Sequence, residues 1–263
     1  MEHMEGGVRP LRLGVALCHG FSGSPSSVKP WADGLAERGF DVEAPLLPGH
    51  GTSWRDLEKR RWHEWTDSFS AACAAVAART DILFLAGLSM GGTIALHTAA
   101  RRSAAEGHGP VPPVAGIAVV NPGLGFYDQR ARFIGVYRLL MRTTGPIDEA
   151  DAPQPVGDEG DYSRTPIAAV HELKRLFHAT DRVLPRVTVP LIAFKSDVDP
   201  VVPPSSLARI VGRVSSPEVQ VVPLHGSPHV ATRGPEARLI IDRTADTFDR
   251  WAEHAALHTG IGA

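Results

Sequence analysis

Six short apolar runs recur along the chain, separated mostly by stretches long enough to hold a helix. They are "RLGVALC" (12–18), "FDVEAP" (40–45), "DILFLAG" (81–87), "VAGIAVVN" (114–121), "VPLIAFKS" (189–196) and "EVQVVPL" (218–224). Each is too short for a core helix, and several are apolar almost throughout, as strands buried on both faces are. Strands joined by helical crossovers of ten or more residues cannot pair as simple hairpins. The expected fold is therefore α/β, with a mainly parallel central sheet flanked by helices on both faces and right-handed crossovers. The length of 263 residues suits one such domain spanning 1–263.

The intervening segments read as helices. Ser26 or Ser27 can cap a helix that runs up to Gly39, a small residue of the kind found just past a helix end. Residues 62–79 place Trp62, Trp65, Phe69 and Val76 on one stripe. Further helices are expected in "GTIALHTAARRSAA", over about 166–179, after Pro203-Pro204, and from about Pro235 to His254. "LLPGHGTS" (46–53) reads as a loop.

Residues 123–182 interrupt the alternation. A connection this long between two strands of one sheet is usually a functional insertion, and a small cap over the carboxyl edge of the sheet is expected here. Within it, 130–142 gathers Phe133, Ile134, Val136, Tyr137, Leu140 and Met141 on a broad apolar face. A lid helix of this kind could make transient contact with lipid aggregates. The acidic run "DEADAPQPVGDEGD" reads as solvated surface.

Composition excludes several function classes. The net charge is −2, with no basic stripe to follow a phosphate backbone, so no nucleic-acid partner is expected. Cys18 and Cys73 read as buried, reduced thiols. The twelve histidines fall in no metal-binding frame, so neither metal nor other cofactor is expected. The first residues lack the apolar stretch of a secretory signal, and no run approaches a membrane span. The expected compartment is the cytoplasm.

The chemistry gathers where strands end. In "LAGLSMGGT" (85–93), Ser89 stands between Gly87 and Gly91 at a strand-to-helix junction. There the backbone bends hard enough to raise a hydroxyl clear of the sheet, and the flanking glycines remove Cβ atoms that would clash. A serine hydroxyl needs a base, and the base needs an orienting carboxylate. In a parallel sheet both should lie beyond the carboxyl ends of other strands. "SDVDPVVPP" offers Asp197 and Asp199. Asp199 is preferred because it directly precedes a turn anchored by Val201 and Val202, which leaves Asp197 as a surface carboxylate. "LHGSPHVAT" offers His225 and His229. His229 projects from the loop proper and is preferred, with His225 a loop histidine. Backbone N–H groups of Met90, after the nucleophile, and of Phe21, in "HGFSGSP", are the expected oxyanion donors. His19 and His50 read as loop braces.

Taken together, "LCHGFSGSPSSVKPWADGL", "GLSMGGTIAL", "SDVDPVVPP" and "SPHVAT" resemble the α/β-hydrolases, and within them the small bacterial carboxylesterases and monoacylglycerol lipases. The resemblance covers nearly the whole chain. It implies an α/β-hydrolase fold and ester hydrolysis through Ser89, Asp199 and His229, with oxyanion donors at Phe21 and Met90. A small-molecule ester or monoacylglycerol is the implied substrate. The lipases of this group carry an acidic residue near the position of Thr165-Pro166 that helps recognise glycerol. Here the nearby residue is Ser163, with Glu159 and Asp161 close by, and a general carboxylesterase is the expectation. An acyltransferase or thioesterase would use the same three side chains, whereas a non-catalytic ligand-binding member of this fold would not need the full set.

Overall fold

A computed structural model describes residues 10–103, 114–127, 142–144 and 164–259 of the chain. All six apolar runs are strands of one sheet. They are β1 (Leu13–Cys18), β2 (Asp41–Glu43), β3 (Ile82–Leu88), β4 (Val114–Val120), β7 (Leu191–Ser196) and β8 (Val219–Leu224). Their order is β2-β1-β3-β4-β7-β8, and every neighbouring pair is parallel. All carboxyl ends therefore share one edge, with β3 and β4 at the centre. Two further short strands, β5 (Thr143–Thr144) and β6 (Thr165–Pro166), form a separate antiparallel ribbon.

The helices are α1 (Lys29–Glu37), α2 (Trp54–Leu57), α3 (Trp62–Ala77), α4 (Met90–Ser103), α5 (Ile167–Val183), α6 (Pro204–Val211) and α7 (Ala237–Thr259). Because side chains alternate along a strand, β3 feeds both faces of the sheet. Leu83 and Leu85 join one core cluster with Phe69 of α3, Ile94 of α4, Leu176 of α5 and Ile210 of α6. Ile82, Phe84 and Ala86 join the other with Trp31 and Leu35 of α1 and Ile240 and Phe248 of α7. Phe84 and Phe248 stack at 4.1 Å between ring centroids. Burial of each such side chain contributes about 2–3 kcal/mol. Helix α4 is buried from Met90 through Ala100, since α3 and α5 cover what the sheet leaves open. That is why its sequence is rich in Ala and Gly rather than amphipathic.

The structure departs from the sequence reading at several boundaries. Neither Ser26 nor Ser27 caps α1. The chain enters it through a 3₁₀ turn, Pro25–Val28, whose cap is Ser24, so both serines lie inside that turn. The last helix starts at Ala237, after Glu236 turns its carboxylate to the His225 and Gly226 amides. Helix α2, capped by Ser53, has no apolar periodicity to announce it. Much of the expected insertion 123–182, including 130–141, Ser163 and the acidic run, lies outside the described residues. Helix α5 falls almost wholly within that range and packs on α3 and α4. Glu172 of α5, itself buried, accepts from the Trp62 amide and from Arg175.

Candidate active site

Ser89 follows the last residue of β3 and precedes the first of α4. Its φ is +55°, in the left-handed region that L-residues seldom enter. Its amide donates to the Val120 carbonyl at 2.9 Å, which ties the bend to β4. The glycines on either side answer to close approach. A Cβ on Gly87 would lie 2.3 Å from the backbone of Gly91, and one on Gly91 would lie 2.1 Å from the Cys18 carbonyl oxygen. No side chain fits either position, so the bend needs both glycines.

The loops after β7 and β8 converge on this bend. His229 is buried, and its Nε2 lies 2.9 Å from Ser89 Oγ. Its Nδ1 lies 3.0 Å from Asp199 Oδ1. An ionised carboxylate can only accept, so Nδ1 carries a proton, and in the neutral ring Nε2 then accepts from the serine. Asp199 Oδ1 also accepts from the Val201 and Val202 amides, at 2.9 and 3.1 Å. Its Oδ2 accepts from Lys195 Nζ at 2.5 Å. Burial alone would push the Asp199 carboxyl up. The hydrogen bond and charge of His229, the Lys195 ammonium and the Val202 amide outweigh it and hold the group at about 2.

The other sequence candidates fall around this line. Met90 opens α4 and is buried. Phe21 lies in a turn after β1 that closes from the Gly23 amide to the Gly20 carbonyl, with Ser22 at φ +57°. That turn abuts the bend, since a Cβ on Gly20 would stand 3.5 Å from Ser89 Cβ. The Phe21 ring packs edge-on against His50 and Trp65. His19 is fully buried and braces two loops. Its Nδ1 donates to the Gly20 carbonyl and its Nε2 accepts from the Leu47 amide. Burial lowers it to about 4, and burial together with His19 lowers His50 to about 3. Both rings are neutral braces, not proton carriers, at physiological pH. Asp197 and His225 bond to one another at 2.7 Å on the exposed side of the same loops. Cys18 and Cys73 are free and buried, and burial pushes the Cys73 thiol up to about 12.

Four contributors escaped the sequence reading. Asn121 is fully buried at φ +45°; its Nδ2 donates to the His229 carbonyl at 2.8 Å and to Ser196 Oγ at 2.9 Å. Ser196 donates from Oγ to the Pro228 carbonyl, beside His229. Tyr127 donates to the Asp199 carbonyl at 3.1 Å. Lys195 is the fourth. Asn121, Ser196 and Tyr127 have partners remote in sequence, and Lys195 is a single polar residue at a strand end, so no local signal marks any of them.

Against this geometry, the sequence profile of the alpha/beta hydrolase family matches residues 15–240. The chain belongs to that family. As an alpha/beta hydrolase it is 36% identical over 243 residues to a thermostable monoacylglycerol lipase from Bacillus sp. (strain H-257), covering 92% of each chain. A solved structure from work on LipS and LipT, two metagenome-derived lipolytic enzymes, superposes with a TM-score of 0.76 at 30% identity. It spans 93% of this hydrolase and 98% of that chain. The monoacylglycerol lipase of Paleococcus ferrophilus superposes with a TM-score of 0.71 at 15% identity, covering 91% and 94%, and shares the fold. In this hydrolase, as the geometry has it, a serine hydroxyl, an imidazole and a carboxylate form one continuous hydrogen-bonded line. Such a line can move a proton off an attacking hydroxyl and return it to a leaving group. Among the described residues, no helix is long and apolar enough to cross a membrane.

Proposed function

We propose that Ser89 is the nucleophile of this hydrolase, His229 its general base and Asp199 the carboxylate that orients the imidazole. The protein is a carboxylic-ester hydrolase. The observation that carries the assignment is the unbroken line from Ser89 Oγ through His229 to Asp199 Oδ1, at 2.9 and 3.0 Å. As Ser89 Oγ attacks the ester carbonyl carbon, its proton passes to His229 Nε2. The negative charge that develops on the carbonyl oxygen meets the amides of Met90 and Phe21, each such donor lowering the barrier by about 3 kcal/mol. Met90 sits at the amino end of α4, where the helix dipole adds to the effect. The tetrahedral adduct then breaks its bond to the alcohol oxygen, which leaves with the proton held by His229. Water attacks the acyl-enzyme under the same base, releases the carboxylic acid and restores Ser89.

The substrate reading is a small-molecule carboxylic ester, with monoacylglycerols included. The Bacillus relative supports the lipid side of this reading through its identity over most of both chains. Helix α5 packs with the core on α3 and α4, and we take the part of 123–182 ahead of it as a cap over the carboxyl edge of the sheet, where the acyl chain enters, and the compartment as the cytoplasm.

A fluorophosphonate probe tests the nucleophile directly. Wild-type protein takes the label and turns over esters. Ser89→Ala unfolds at the wild-type temperature within a few degrees, takes no label and loses ester turnover by roughly 10⁴- to 10⁶-fold. Labelled or active Ser89→Ala protein would remove the assignment. Rates over esters of rising chain length, with monoacylglycerols alongside, then define the acyl preference.

A further inference from the structure

Strand β7 places a lysine directly behind the acidic end of this line. Lys195 Nζ donates to Asp199 Oδ2 at 2.5 Å and to the Val202 carbonyl at 2.9 Å. Its side chain is 10% exposed and that of Asp199 is 0%. A buried ammonium is costly and is tolerated only when paired. Its bond serves Oδ2, since His229 and the Val201 and Val202 amides all converge on Oδ1. What the lysine adds is a full positive charge on the oxygen facing away from the imidazole.

We infer that Lys195 is a positioning residue that clamps Asp199 and offsets its charge, and thereby sets the pH below which His229 stops working as a base. The inference rests on the Ser89–His229–Asp199 assignment above. With the lysine in place, the resting set of Lys195, Asp199 and neutral His229 carries no net charge. Protonation of His229 brings it to +1. Without the lysine, the same protonation would take the set from −1 to zero, an easier step. The ammonium therefore opposes premature protonation of the base and extends activity toward acid pH.

Among the described residues, Ser89 meets His229 from the end of β3, and the Tyr127 hydroxyl meets the Asp199 carbonyl from the loop after β4. Asn121 and Ser196, which hold the backbone around His229, are neutral. Asp197 and His225 lie on the same two loops but pair with one another.

The test is kcat/KM for a soluble short-chain ester between about pH 4 and pH 9, in wild type, Lys195→Met and Lys195→Gln, with thermal unfolding measured alongside. The methionine keeps the apolar stem. The glutamine keeps a donor and loses the charge. In either folded variant the acid limb of the profile moves up by about one pH unit, while the plateau falls no more than about tenfold. A limb that stays at the wild-type position in a folded variant would overturn the inference. So would unfolding of both variants, because the lysine would then hold the fold rather than tune the base. Failure of the underlying assignment looks different: wild type would show no acid limb, or Ser89→Ala would remain active.

Discussion

The loops after β7 and β8 meet twice. Asp197 pairs with His225 at 2.7 Å, and Asp199 pairs with His229 at 3.0 Å. Residue types, loops and contact distances are nearly the same in the two pairs. Their surroundings are not. The side chains of the first pair are 57% and 74% exposed, and those of the second are 0% and 5% exposed. Water and salt screen the first, whose contribution to stability is about 0–1 kcal/mol. The second is desolvated, so water and salt screen it far less, and the charge beside its carboxylate is that of Lys195. Only its imidazole reaches Ser89. The shorter contact is the less consequential one, because burial and the third partner decide what an aspartate–histidine pair can do.

Exchanging the histidines should break the comparison most sharply. His229→Ala is expected to lower kcat/KM on a simple ester by roughly 10⁴- to 10⁶-fold, while His225→Ala stays within about twofold of wild type. The reverse result would transfer the base to His225.

The aspartates should differ by less. Asp199→Asn is expected to cost roughly 10³- to 10⁴-fold, chiefly because an amide no longer fixes the imidazole tautomer, while Asp197→Asn leaves the rate nearly unchanged. Asp199 also carries a pH signature. Its carboxyl sits at about 2 against an ordinary 3.8, so the native state binds that proton more weakly than the unfolded chain does. The stability this contributes is fully present above about pH 4 and is lost as pH falls through 2. Urea unfolding at pH 5, 4, 3 and 2 should show wild type converging on Asp199→Asn as acidity rises. A constant gap would mean that the carboxylate is not held low by its partners.

The two pairs also separate what a sequence shows from what it hides. The six strands were legible because their short apolar runs are bounded by turn residues and mostly separated by helix-length segments. Ser89, Asp199 and His229 could be picked as residues that ought to meet, since each stands just past a strand that a parallel sheet must end on one edge. The choice of Asp199 over Asp197 rested on the two valines that follow, and those valines do supply the amides that grip it. Lys195 gave no such sign. In "LIAFKS" it reads as a polar residue at a strand end, yet it is buried on a carboxylate four residues on. Asn121 was equally silent, because its partners lie 75 and 108 residues away. The 3₁₀ entry to α1 and the short helix α2 were missed because neither spans enough residues to show a period.

Asn121 offers the finest probe, because it anchors only the buried pair. Its amide nitrogen holds the His229 carbonyl, and its oxygen accepts the Ser196 amide at 2.8 Å. Asn121→Ala would leave that carbonyl and that N–H buried without their partner and would force alanine into φ +45°. The expected cost is about 3 kcal/mol of stability. The His229 backbone would then drift by a fraction of an ångström, so kcat should fall by roughly 10- to 100-fold with KM little changed. The exposed pair has its own anchor, Glu236, whose carboxylate accepts from the His225 and Gly226 amides at 2.9 and 3.0 Å. Glu236→Gln keeps one acceptor oxygen and should change stability by less than about 1 kcal/mol and activity by less than about twofold. Equal losses of kcat in the two variants would mean that the loop after β8 moves as one body, with the outer pair positioning the inner. Unequal losses, in the order given, would mean that the chain isolates His229 from the surface through a single buried amide.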